Sequence, residues 1–414
     1  MSRLSEPVRL PISGVVLKNR LVKAALAESL SKNSQPNTNF ESAYAQWGTG
    51  GWGAILTGNV MIDARYKGDA GDLAIESDPT QRPIDLWKAY ANAIQKEGSP
   101  GIVQLNHPGR QSPLGAGSRG LWDKNIAPSA VGLNIGENLV ARMASGLVFG
   151  TPREMTVQDI DDVKRRFVEA AQFVAEVGFK GIELHAAHGY LLAQFLSPRS
   201  NLRTDGYGGS TAKRARIVVE ILREIREAVP KGFVVAIKLN SADHQRGAKL
   251  DEVMEQIALI VEAGVDFVEI SGGSYEDPQM MQAKGGAPKS SAREAFFLDF
   301  AHEIRSKFPS VVLMLTGGFR SRTGMESALA ENACDIIGLG RPAAINPHFP
   351  QDVLLNKTVS EGQATMQLDP VPMDWLMSWV PIKVLGAGQE TMYYAGQIHR
   401  IAKGLATFAP QARL

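Results

Sequence analysis

Short, nearly uninterrupted apolar runs alternate along the chain with stretches of helical periodicity. Eight runs read as strands: RLVKAALA (Arg20 to Ala27), GAILTG (Gly53 to Gly58), GIVQLN (Gly101 to Asn106), GIELHA (Gly181 to Ala186), VVAIKLN (Val234 to Asn240), FVEISGG (Phe267 to Gly273), VVLMLTGG (Val311 to Gly318) and DIIGLGR (Asp335 to Arg341). Continuous apolar runs, in place of apolar–polar alternation, predict strands of a parallel sheet buried on both faces. Between them, Thr156 and Asp159 have the spacing of a capping box, and Ile160, Val163, Phe167, Ala171, Val174 and Val177 mark one apolar helical stripe. Ser291 and Glu294 repeat the box ahead of Phe297, Phe300 and Ile304. Gly178 and Gly264 stand where helices must end before strands four and six, and predict left-handed C-caps.

Eight strand–helix units in one chain predict an α/β fold of the TIM (β/α)8 barrel class, a single domain over residues 1–414. Two smaller α/β domains are the alternative, which lacks a Pro/Gly/Ser-rich linker to divide them. Two segments exceed a bare barrel. Residues 111–155, rich in Gly, Ser and Pro, predict a lid insertion after strand three, above the C-terminal face. Residues 343–414 predict a C-terminal helical extension, with a helical segment from Trp375 to Lys403 suited to pack on the barrel or, in a homodimer or higher homo-oligomer, on a neighbouring subunit.

Composition narrows the function classes. With 44 basic and 43 acidic residues the net charge is +1, which offers no long-range field to gather nucleic acid or an anionic membrane surface. A small-molecule substrate is expected instead. One cysteine, Cys334, excludes an internal disulfide and a Cys-rich metal or iron–sulfur cluster, and fits a reducing compartment. The first thirty residues hold no secretory apolar core and no run approaches membrane-spanning length, so the expectation is a soluble cytoplasmic protein.

The strings GAGSRG (Gly115 to Gly120) and GTGGWG (Gly48 to Gly53) both spell G-x-G-x-x-G, but neither lies between a strand and a helix start, as a dinucleotide fingerprint must. In a TIM barrel, phosphate commonly binds at the loops after strands seven and eight. Here these read TGGFRSR (Thr316 to Arg322) and GLGRP (Gly338 to Pro342); Gly317, Gly318 and Gly340 permit close backbone approach and Arg341 adds a charge-assisted contact.

The densest chemistry lies in GIELHAAHGYLLAQFLSPRSN, Gly181 to Asn201. His185 ends strand four, with His188 and Tyr190 in the loop beyond. As a metal site the pair is underfurnished: zinc needs three or four ligands, and only Glu183 and Asp205 offer candidates. As a group, the three side chains read as two N–H donors converging on a substrate oxygen, with a phenol beside them to deliver a proton.

IELHAAHGYLLAQFLSPRSNLRTDGYGGS closely resembles the signature of the old yellow enzyme family, FMN-dependent ene-reductases on a TIM barrel. The likeness extends over LKNRLVKAAL, QLNHPGRQ, IKLNSAD, TGGF and GLGRP, in order along almost the whole chain. The resemblance implies FMN as cofactor, NADH or NADPH as reductant and an α,β-unsaturated carbonyl substrate. By matching positions it implies that His185 and His188 bind the carbonyl oxygen and that Tyr190 protonates Cα after hydride reaches Cβ. It further implies Gln104 at the flavin pyrimidine edge, Ala24, Ala25, Leu26, Ala27 and Gly58 against the isoalloxazine, Gly318, Gly340 and Arg341 around the phosphate, and no metal. The nicotinamide cofactor then needs no Rossmann motif, because it docks over the flavin in the substrate's place.

Three positions depart from the family pattern. Ala27 stands where a Thr or Cys usually bonds the flavin, Lys238 stands near flavin N1 where arginine is frequent, and Ser29 replaces a tyrosine that some members place against substrate. Alternatives with FMN are dienoyl-thioester reduction or desaturation in a biosynthetic pathway. An alternative without it is a Schiff-base lyase with Lys238 as the nucleophilic amine.

Overall fold

The computed structural model describes residues 2–120, 122–136, 139–241, 250–271, 300–371 and 383–411. All eight expected strands are present: β1 (Leu21–Lys23), β2 (Ala54–Met61), β3 (Gly101–Asn106), β4 (Gly181–Ala186), β5 (Val234–Asn240), β6 (Val268–Ser271), β7 (Leu313–Thr316) and β8 (Ile336–Leu339). Each pairs in parallel with the next, and β8 pairs with β1, Ile337 beside Leu21, which closes the barrel. Every residue of β3, β4 and β5 is buried, as runs of apolar residues without alternation require.

Among the helices described are α1 (Thr38–Gly48), α2 (Ile84–Ile94), α3 (Leu139–Val148), α4 (Val157–Glu176), α5 (Leu191–Leu196), α6 (Thr211–Ala228), α7 (Leu250–Glu262), α8 (Arg322–Ala330), α9 (Arg341–Ile345) and α10 (Lys383–Ala402). The capping box of α4 forms as expected, and Arg153 grips Asp159 through two bonds of 2.6 and 2.7 Å, holding that carboxyl well below its usual range. Its apolar stripe is buried throughout. Gly178 (φ 98°) and Gly264 (φ 95°) adopt the left-handed conformation expected of C-caps. The second capping box, Ser291 and Glu294, lies outside the described residues, as does the start of the Trp375–Lys403 segment.

Side chains two apart on a strand share a face, so the barrel interior is layered. Its lower layer is apolar, with Ile102, Val234, Phe267, Met314 and Ile336 packed against Val8 and Leu17 of a short N-terminal hairpin. One step up, the same faces turn polar, and the site begins there.

The insertion after β3 contains α3 and a two-stranded pairing of Ile126–Ala127 with Arg153–Glu154. The C-terminal helix α10 packs on α1 and α9 of its own barrel. The first strand is shorter than expected: Ala24 to Ala27 leave the sheet after Lys23, and from Ala25 onward they form a wall of the cleft.

Candidate active site

The cleft at the C-terminal end of the barrel is lined by residues of β2 to β5, of the segment after β1 and of α9 and α10. His185, at the end of β4, is buried, and burial, with His188 and Lys238 adding to it, pushes its ring well below the ordinary histidine range, so it stays neutral. Its Nδ1 accepts the Ala187 N–H at 3.3 Å, which leaves the ring proton on Nε2. His188 Nδ1 lies 3.1 Å from that Nε2, and His188 Nε2 lies 3.2 Å from Ser271 Oγ. The two rings are therefore bonded to one another.

The turn that presents them is conformationally demanding. His188 (φ 57°) and Gly189 (φ 74°) are both left-handed, and the His188 backbone is held by Asn240 Oδ1 at 2.8 Å and Gln111 Nε2 at 3.0 Å. A non-glycine residue kept at positive φ by specific bonds is a common signature of functional loops. Tyr190 follows at the N-cap of α5, with its ring edge-on to His185 at 4.7 Å.

Below this loop runs a polar layer across three strand interfaces. Gln104 on β3 donates from Nε2 to Glu183 Oε2 on β4 at 2.6 Å, and Lys238 Nζ on β5 lies 2.8 Å from Glu269 Oε1 on β6. In β2 the register slips at Thr57–Gly58, so that Leu56 faces Ile102 but Asn59 faces Gln104. This bulge turns Asn59 into the cleft, where its Oδ1 is buried and lacks a partner among the described residues.

Outside β1, a second buried cluster holds the wall in place. Lys23 Nζ donates to the Leu56 carbonyl at 2.8 Å and lies 3.3 Å from the Tyr44 hydroxyl, which bonds Glu28 in turn. Glu28 also accepts the Gly58 N–H at 2.7 Å. A side chain at Gly58 would overlap the Glu28 carboxylate and the Leu26 carbonyl, which is why glycine is required there. Burial pushes Lys23 down to about 8 and raises Glu28.

At the far end, Gly317 (φ 143°) and Gly318 (φ 76°) shape the loop after β7, and Gly340 caps α9. Arg341 reaches the cleft with Nη1 2.5 Å from Glu390 Oε1 of α10. Glu390 and Tyr394, one helical turn apart, line the cleft with Thr391, and the Tyr394 hydroxyl is buried without a partner among the described residues. His399 Nε2, two turns after Thr391, joins α10 to the carbonyls of Glu28 and Ser29 at 3.1 Å each.

Of the residues singled out from sequence, Ala25, Leu26, Ala27, Gln104, His185, His188, Tyr190, Lys238 and Arg341 line this one cleft. Ala24 belongs to the apolar layer, and Gly58 serves the packing just described. Glu183 is bonded to Gln104, and Asp205 pairs with Arg203 at 2.5 Å, so neither completes a metal site with the histidines. Sequence reasoning missed Asn59, Glu269, the Lys23–Tyr44–Glu28 cluster and the α10 residues. For Glu269 a signal existed: a charged residue in the middle of an apolar strand run, like Lys238 and Glu183. The orphaned Asn59 and Tyr394 oxygens, the buried Lys238 and the charged Arg341 together suit a ligand with a polar heterocycle and an anionic end, and FMN has both.

A family model described as the NADH:flavin oxidoreductase / NADH oxidase family matches residues 4–358. The NADH-dependent flavin oxidoreductase iccE of Talaromyces variabilis is 45% identical over 397 residues, covering 94% of this chain and 96% of that protein. The NADH-dependent flavin oxidoreductase iliE of Neonectria sp. (strain DH2) is also 45% identical, over 93% of this chain, which spans only 52% of that relative's length. A solved structure of morphinone reductase in complex with tetrahydroNAD aligns with a TM-score of 0.69 at 25% identity, over 89% of this chain and 93% of that one.

Proposed function

The chain belongs to the NADH:flavin oxidoreductase / NADH oxidase family, and from that premise we propose that it is an ene-reductase, an FMN-dependent oxidoreductase that uses NADH or NADPH to saturate the C=C bond of α,β-unsaturated carbonyl compounds. The observation that supports this most is the shared cleft. The His185–His188–Tyr190 group opens onto the same space as Gln104, Lys238 and Arg341. FMN, when bound, supplies hydride exchange between nicotinamide and substrate, while the protein contributes binding, orientation and electrostatics.

Gln104 and Lys238 would hold the pyrimidine edge, Ala25 to Ala27 the ring, and Arg341 with the Gly318 and Gly340 loops the phosphate. A carbonyl oxygen lodged between His185 Nε2 and His188 Nδ1 accepts from both rings once His188 carries its proton on Nδ1. The Ser271 hydroxyl, 3.2 Å from Nε2, can donate there and so favour that tautomer. Two such donors stabilise the negative charge that builds on the oxygen. Tyr190, edge-on to His185, holds the proton for Cα. The lyase alternative is disfavoured because Lys238 is paired with Glu269 as an ammonium, whereas a nucleophilic amine must be neutral.

The purified protein should be yellow, release FMN on denaturation and oxidise NADH or NADPH in the presence of an enone. A colourless preparation that stays inactive after incubation with FMN would defeat the reading. Arg341→Ala should weaken FMN retention by about ten- to hundredfold, the cost of one charge-assisted contact of about 1.5–3 kcal/mol. Equal flavin occupancy of variant and parent after dialysis, with equal melting temperatures, would place the phosphate elsewhere.

A further inference from the structure

Two carboxyl groups lie inside the barrel directly beneath the cleft. Glu183 on β4 and Glu269 on β6 are fully buried and flank Lys238 on β5. Glu183 Oε2 accepts from Gln104, Glu269 Oε1 lies 2.8 Å from the Lys238 ammonium, and the charge of Glu269 acts on the Glu183 carboxyl. Among the described residues, Glu183 Oε1 and Glu269 Oε2 have no hydrogen-bond donor. Two ionised carboxylates are acceptors only, so neither can satisfy the other, and at this burial their repulsion has no solvent to screen it. A single added proton removes both conflicts.

We propose that Glu183 and Glu269 share one proton, carried on Glu183 and donated to Glu269, so that Gln104, Glu183, Glu269 and Lys238 form one continuous string under the cleft. Burial, with the adjacent Glu269 next in weight, holds the Glu183 carboxyl well above its usual range, in agreement. The other groups facing the string are the neutral His185 on β4 with His188 above it, and Lys23 across β1, whose charge reaches Lys238. The string leaves one carboxylate to offset one ammonium. It also fixes orientation: with its Nε2 tied back to Glu183, Gln104 presents its amide oxygen to the cleft as an acceptor, beside the Lys238 donor. Glu183 and Glu269 are thus positioning residues for the pyrimidine edge, a consequence that rests on the proposed function, although the shared proton itself does not.

Infrared spectroscopy of the purified protein tests the proton. At neutral pH the parent should show the C=O stretch of a protonated carboxylic acid that shifts down in D2O and disappears in Glu183→Gln. Assignment by difference is needed because burial also raises Glu28, Asp72 and Glu390. The flavin midpoint potential gives a second reading. Glu183→Gln should leave it unchanged, since glutamine has the charge of the protonated acid, whereas Glu269→Gln should raise it by leaving Lys238 uncompensated. No acid band lost in Glu183→Gln, or a potential raised equally by both variants, would show two ionised carboxylates and overturn the proposal. Should Glu183→Gln not fold, Glu269→Gln must move the parent's band to higher frequency, because an amide accepts more weakly than a carboxylate, and an unmoved band overturns it equally. A colourless protein that keeps the band would sink the flavin reading alone; a yellow one without it would sink the shared proton alone.

Discussion

Tyr190→Phe is expected to leave reduction of the bound flavin by NADH or NADPH nearly intact while slowing its reoxidation by an enone about 10²- to 10⁴-fold. The substitution is structurally conservative. The ring is buried and packs edge-on against His185 at 4.7 Å, a contact that phenylalanine retains. The start of α5 depends on the Tyr190 backbone, which donates to Ala187 and accepts from Gln194, so removal of the hydroxyl leaves the turn in place. On the proposed role of Tyr190, the proton for Cα is lost. His188→Ala should behave differently: it removes a donor from the carbonyl oxygen, so enones and phenolic ligands bind more weakly and hydride transfer slows as well. Stopped-flow absorbance of the flavin follows the two half-reactions separately. If Tyr190→Phe slows both equally, or neither, the assignment of Tyr190 as proton donor fails.

Glu28→Ala is expected to destabilise the fold by about 3–5 kcal/mol, the usual cost of removing one partner from a buried ion pair. Lys23 is fully buried against the rings of Tyr44 and Trp47, with its ammonium 4.9 and 4.6 Å from their centroids, and Glu28 is the main charge favouring its protonated form. Without Glu28, the Gly58 N–H loses its acceptor and the Tyr44 hydroxyl a partner as well. The deficit should depend on pH. Lys23 titrates at about 8 in the folded chain against 10.5 when exposed, so between these values the unfolded chain binds more protons and stability rises with pH. In the variant that folded value falls further, so the deficit is largest at neutral pH and narrows as pH rises through about 8, where Lys23 of the parent loses its proton. Urea unfolding across this range measures it, and a deficit under about 1 kcal/mol at neutral pH would mean that Lys23 is already neutral and the pair is not ionic.

What was legible in the sequence was local. A parallel strand buried on both faces must be apolar at successive positions, so β1 to β8 announced themselves, and caps such as Thr156–Asp159 or Gly178 involve residues only a few positions apart. His185, His188 and Tyr190 were legible for the same reason, since one strand end and one turn carry all three. Arg341 was legible as a cleft residue because it stands two positions beyond the end of β8. The ends of strands were less so: whether Ala24 to Ala27 continue β1 depends on what pairs beside them, and β2 hides a bulge whose effect is to aim Asn59.

The sequence by itself determined the barrel, its direction of reading and the residues that stand at its mouth. Tertiary structure alone decided which charges meet. Lys238 finds Glu269 and Glu183 across neighbouring strands, Lys23 finds Glu28 through Tyr44, and Glu390 of the last helix reaches Arg341 from 49 residues away. The physical reason is that a charge's energy depends on its burial and on its nearest partner, and both arise only when distant segments close over it. The same closure set the tautomer of His185, because the Ala187 N–H and the buried surroundings, and not the residue type, dictate where its proton sits.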